Sequence, residues 1–114
     1  MIEHVIKNYL EKNLSVPVFF ERRPDQPARM ILVERVGGSE TALLSRPRIA
    51  IQSYEESLEK AALLNESVKT ALRKLSELPQ VCSIKLSTDY NFTDTTSKAY
   101  RYQAVFEITH YKEE

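Results

Sequence analysis

The residues of this chain that could do covalent or metal chemistry are few and far apart. Nucleophilic catalysis needs an activated Ser, Cys or Lys beside a base. The two histidines are His4, inside the opening stretch "MIEHVIKNYL", and His110, near the end of "AYRYQAVFEITHY". Neither sits in a catalytic motif, so both read as surface or boundary residues. The single cysteine, Cys82 in "QVCSIKLS", has no basic neighbour or helix start to lower its pKa. It reads as a small hydrophobe packed inward. Asp89 and Asp94 bound "DYNFTD", which is too sparse in oxygen ligands for a metal loop. Gly37-Gly38 lacks the Lys-Ser/Thr pair that follows a phosphate-cradling loop. The richest cluster is aromatic: Tyr90, Phe92, Tyr100 and Tyr102 around Lys98 and Arg101. Rings beside cations can stack nucleotide bases on a sheet. Alternate Tyr is also ordinary strand composition, and without a glycine-rich aromatic motif core or interface packing is the better reading. These residues predict a chain that is not an enzyme and needs no cofactor or metal.

Charge narrows the classes further. Sixteen basic residues balance sixteen acidic ones, unlike the basic excess of a dedicated nucleic-acid binder. The balance fails locally, because residues 22–48 hold six arginines (22, 23, 29, 35, 46, 48) against Asp25, Glu34 and Glu40. Arginine makes planar, directional contacts suited to interfaces. The stretch reads either as a solvated face with local ion pairs or as a basic rim for an acidic partner.

The elements that must position these groups follow from periodicity. Ile2, Val5, Ile6, Tyr9 and Leu10 form one helical stripe ending at Asn13. "SVPVFF" begins a strand whose Pro17 suits an edge, and "ERRPDQPAR" is a loop. "MILVERV" is a strand predicted to stop at a Gly37-Gly38 turn, with 39–46 as a loop or irregular hairpin arm. "RPRIAIQS" follows, Ile49 and Ile51 pointing one way. Ser53 and Glu56 have capping-box spacing and predict the start of the second helix. Its stripe is Leu58, Ala61, Ala62, Val68, Leu72 and Leu75, interrupted by Asn65, and it ends before Pro79. "QVCSIKLS" is a fourth strand, residues 89–98 a polar, mobile tongue, and "AYRYQAVFEITHY" a fifth strand with one apolar face.

The predicted order is α-β-β-β-α-β-β, an α/β (α+β) domain over residues 1–114, with a mixed or antiparallel sheet. A chain of 114 residues buries roughly 65% of its unfolded surface, enough for one core. A lone cysteine fits a reducing compartment. No apolar run nears the ~20 residues of a membrane span, and the N-terminal stretch lacks a signal peptide's apolar core. The matches "NFT" and "NES" to glycosylation acceptors are therefore accidental, and the expected compartment is the cytosol.

Three stretches together carry a family likeness. "VPVFFERRPDQPARMILVERVGG" follows a short N-terminal helix, "RPRIAIQSYEESLEKAALLNESVKTAL" runs from an Ile-rich strand into an Ala-rich helix, and "DYNFTDTTSKAYRYQAVFEITHY" closes the chain. This pattern resembles the small tail terminator (tail-completion) proteins of long-tailed bacteriophages and prophages, also described as minor capsid or head-tail joining proteins. The likeness spans nearly the whole chain and rests on order and texture, not on a catalytic signature.

The resemblance implies a sheet covered on one face by helices and a six-membered ring that caps the tail tube. Its partners would be further copies of itself, the major tail tube protein and the head connector or stopper. DNA would pass through without sequence-specific binding, and no membrane is involved. The sites of action would be the host cytoplasm during assembly and the head–tail junction of the virion. Within that reading, Tyr90 and Phe92 anchor a tongue that includes Asn91, Thr93, Asp94 and Lys98 and orders on docking, and Arg101 on the following strand belongs to the same interface. Arg22, Arg23, Arg46 and Arg48 supply charged contacts to an adjacent ring. Two alternatives stay open: another junction component such as a head-closure protein, and a small nucleic-acid-binding module.

Overall fold

A computed structural model describes residues 1–112. The chain opens with helix α1 (Ile2–Leu14), whose Ile2, Ile6 and Leu10 are buried at the predicted spacing. Each such side chain contributes roughly 1.5–3 kcal/mol on leaving water. Ser15, in the left-handed conformation with φ 54°, ends the helix and turns the chain into β1 (Val18–Phe19). That edge strand is only two residues long; it lies parallel to β2 (Met30–Glu40), and the Ile31 amide donates to the Pro17 carbonyl. β3 (Leu44–Tyr54), β4 (Val81–Asn91) and β5 (Arg101–Tyr111) complete a five-stranded mixed sheet of order β1-β2-β3-β5-β4, antiparallel apart from the first pair. Between β3 and β4 lie α2 (Leu58–Leu72) and a 3-10 turn (Leu75–Glu77). The α+β class and the element order read from the sequence both hold.

Both helices cover the same sheet face. Ile31 and Val33 of β2, Ile49 and Ile51 of β3, and Ala104, Phe106 and Ile108 of β5 meet the α1 stripe and Leu64, Val68 and Leu72 of α2 in one core. Among the described residues the opposite face carries no helix; Met30, Leu32 and Tyr54 form a small second cluster there.

Several sequence expectations are corrected by packing between distant residues. Ser53 does not cap α2. It pairs with Ile31 and Tyr102 in mid-sheet and is fully buried, so the strand runs on to Tyr54. The cap is Ser57, extended at φ −143°, whose hydroxyl accepts from the Lys60 amide at 3.2 Å. Within α2, Leu58 is 40% exposed and Ala62 half-buried, and Leu64 takes a core position instead. Gly37-Gly38 is not the turn. It lies inside β2 beside a bulge between Arg35 and Gly37, and residues 41–43 make the turn. Cys82 does not pack inward. A bulge between Val81 and Ser83 breaks the alternation at the start of β4 and leaves the thiol exposed.

Candidate interaction surface

On the helix-free face, alternate residues of three strands join into one closed circuit. Arg101 donates to the Tyr54 hydroxyl at 2.7 Å, and that hydroxyl donates to Gln52 Oε1 at 3.0 Å. Gln52 Nε2 donates to Gln103 Oε1 at 3.0 Å, and Gln103 Nε2 donates to the Tyr90 hydroxyl. Tyr90 meets Phe92 edge to face with centroids 5.7 Å apart, and Arg101 closes the circuit with its guanidinium 4.3 Å from the Phe92 centroid. Its Nε also donates to the Phe92 carbonyl at 2.6 Å. Gln52, Tyr54 and Gln103 are at most 9% exposed, so their polar atoms need these partners. Arg22 comes from the loop after β1 and lies 4.8 Å over the Tyr54 ring, extending the stack to the sheet's edge. Each cation–ring contact at such a half-exposed site contributes about 0.5–1 kcal/mol.

The expected tongue is a hydrogen-bonded hairpin end. β4 continues to Asn91, whose side chain accepts from the Thr93 amide at 3.0 Å. Thr93 Oγ1 accepts from the Arg101 amide at 3.2 Å. The Asp94 carboxylate accepts from the Ser97 hydroxyl at 2.8 Å and the Thr96 amide at 3.0 Å. Those donors, the Ser97 hydroxyl first, hold its pKa below the usual aspartate value. The depressed pKa makes the turn's stability complete above the ordinary carboxylate range and lost as pH falls through the lowered value. Lys98 takes φ 55° and lets the chain return to Ala99, which bridges Asp94.

The structure thus brings Tyr90, Asn91, Phe92, Thr93, Asp94, Lys98, Arg101 and Arg22 to one end of the sheet. Arg23 stands apart in the loop, paired with Glu21 at 2.7 Å. Arg46 and Arg48 lie on the same helix-free face toward the other end, opposite Ser39 and Gly37; Arg48 reaches Ser87 Oγ at 3.4 Å. Gln52, Tyr54 and Gln103 were missed in the sequence. Their only signal was polar residues on alternate positions of otherwise apolar strands.

The histidines and cysteine do not converge: His4 stacks edge-on against Phe20 at 4.9 Å, while His110 Nδ1 lies 2.8 Å from the Tyr111 carbonyl. Among the described residues, no group of three or more His, Cys, Asp or Glu side chains could hold a metal ion. No helix there is long and apolar enough to cross a membrane. No protein-family model matches this chain, and neither does any curated protein.

Proposed function

We propose that this chain is a ring-building structural subunit that caps the tail tube of a long-tailed phage or prophage and then receives the head connector. The observation that carries the reading is the helix-free sheet face, where Tyr90, Phe92, Arg101 and Arg22 form one continuous relief. A ring subunit must present surfaces to its neighbours, to the tube and to the head. Aromatic and guanidinium groups, held rigidly, are the types that dominate such contacts. A sheet covered by helices on one side agrees with the fold that the family resemblance implies. In this reading six copies surround a passage for DNA, with the tail tube protein on one side and the connector on the other. Base stacking is disfavoured, because Arg22 and Arg101 already lie over Tyr54 and Arg101 over Phe92.

The test is a Tyr90→Ala/Phe92→Ala double variant, checked for folding by circular dichroism, in the particle-producing strain. Overlong tails in negative stain are the expected result. Normal free tails beside leaking heads would make the chain a head-closure protein. Normal tails with full infectivity would remove this face from assembly.

A further inference from the structure

We infer that the protein partner of this sheet face presents a carboxylate to Tyr90, because Arg101, acting through three buried side chains, fixes the Tyr90 hydroxyl as an outward hydrogen-bond donor. The identity of the partner rests on the tail-capping reading above. The donor order rests on the free chain alone.

The order follows from which groups can donate. A guanidinium has N–H donors and no acceptor. The Tyr54 hydroxyl therefore accepts from Arg101, at 2.7 Å, and must place its own proton elsewhere. Tyr54 is 4% exposed, and its acceptor is Gln52 Oε1 at 3.0 Å. With that oxygen engaged, the Gln52 amide turns Nε2 to Gln103, whose Oε1 accepts at 3.0 Å. Gln103 then has Nε2 left for Tyr90, so the Tyr90 hydroxyl accepts. The two glutamines are buried, and turning over either amide alone would set two donors or two acceptors face to face. The permanent charge of Arg101 thus sets the direction of every bond as far as Tyr90.

Tyr90 is 41% exposed, and its own proton has no acceptor among the described residues. Whatever meets it must accept. A carboxylate fits because the neighbouring group also only donates. Of the five N–H groups of Arg101, one goes to Tyr54 and one to the Phe92 carbonyl, and the others have no partner among the described residues. Tyr90 and Arg101 both border the Phe92 ring. The carboxylates of this end of the sheet are placed otherwise. Asp94 accepts from Thr96 and Ser97 within its own turn. Glu34 lies on β2, across β3 and β5 from Tyr90 on β4. Outward donors, one of them charged, select an acceptor-only anion, with which they form the stronger, charge-assisted bonds.

Gln52 and Gln103 are positioning residues in this account, and the test reverses the order from inside. In Gln52→Glu an acceptor-only group takes the Tyr54 proton with one oxygen and a Gln103 N–H with the other. Gln103 then turns over, and its oxygen draws the Tyr90 proton inward. Gln103→Glu does the same one step nearer. The probe is uncapped tails purified from a particle-producing strain that lacks this chain. Tyr90→Phe, Gln52→Glu and Gln103→Glu should each weaken co-sedimentation with them about tenfold, with unchanged circular dichroism. Tyr90→Phe added to Gln52→Glu should cost nothing more, and binding of the parent chain should weaken as salt rises. Neutron diffraction from deuterium-exchanged crystals of the free chain reads the order without any variant. The Tyr54 deuteron is expected on Gln52 Oε1 and the Tyr90 deuteron turned away from Gln103. A Tyr90 deuteron aimed at Gln103 would overturn the donor order. The expected order with full binding by Tyr90→Phe, or binding indifferent to salt, would overturn the carboxylate contact. Full binding by Tyr90→Ala/Phe92→Ala as well would sink the tail-capping use of this face and leave the donor order standing.

Discussion

Ser53 and Ser57 lie four positions apart in the same connection and take opposite roles. Ser57 satisfies a free amide at the start of α2. Ser53 is fully buried in mid-sheet with a hydroxyl that has no hydrogen-bond partner among the described residues. Ser57→Ala should therefore cost about 1 kcal/mol. Ser53→Ala removes an unsatisfied buried group and should leave stability unchanged or raise it by up to about 1 kcal/mol. Urea midpoints with unchanged slopes decide between them; equal losses from both would contradict the two roles. At this scale the sequence misled for a definite reason. A Ser-x-x-Glu pattern reports only local spacing, and Ser53 satisfied it with Glu56. What placed Ser53 in the sheet is pairing with Ile31 and Tyr102, both far away in the chain. Glu55, seemingly a first-turn helix residue, is instead buried and ion-paired with Arg29. Tyr90, Phe92 and Arg101 were legible because their aromatic and basic types stand out locally. Gln52 and Gln103 matter only through each other, across two strands.

At the scale of elements, the existence and kind of each helix and of the four long strands were legible from period, while their ends were not. The glycine pair shows why. Two glycines between apolar runs suit a turn, yet here they serve a bulge that lets β2 continue for 11 residues. The requirement falls on one of them. Gly38 has φ +143°, and a Cβ there would lie 2.6 Å from the Arg46 carbonyl oxygen and 2.9 Å from the Pro47 Cα. Both obstacles are backbone and cannot swing away. Gly38→Ala should cost about 2 kcal/mol or more, through strain and steric overlap together. A Cβ on Gly37 meets nothing within 4 Å, and Gly37→Ala should stay within about 0.5 kcal/mol. Thermal unfolding of the two variants is the check. Equal tolerance would mean that the hairpin can shift its register at little cost.

For the whole molecule, the outstanding problem is its open edges. β4 ends the sheet on one side, and on the other β1 pairs only with Ile31 and Leu32, leaving the rest of β2 as an edge. A long exposed edge strand invites pairing with any other chain, and bulges are one means of preventing it. Both edges here carry them: one in β2 between Arg35 and Gly37, and two in β4, between Val81 and Ser83 and between Leu86 and Thr88. The bulges twist both edges away from such indiscriminate pairing. Ser87 is the extra residue of the second β4 bulge, with Leu86 opposite Phe106 and Thr88 opposite Val105 on either side. Deleting it should preserve pairing on both sides while flattening the strand. The deletion variant should fold, lose the Arg48 to Ser87 hydrogen bond, and aggregate at concentrations where the parent chain stays dispersed. Light scattering against concentration, with circular dichroism to confirm the sheet, reads the outcome. A variant that folds and stays as dispersed as the parent would show that the bulge does not guard this edge; Lys85, projecting from the same strand, would then be the next guard to remove.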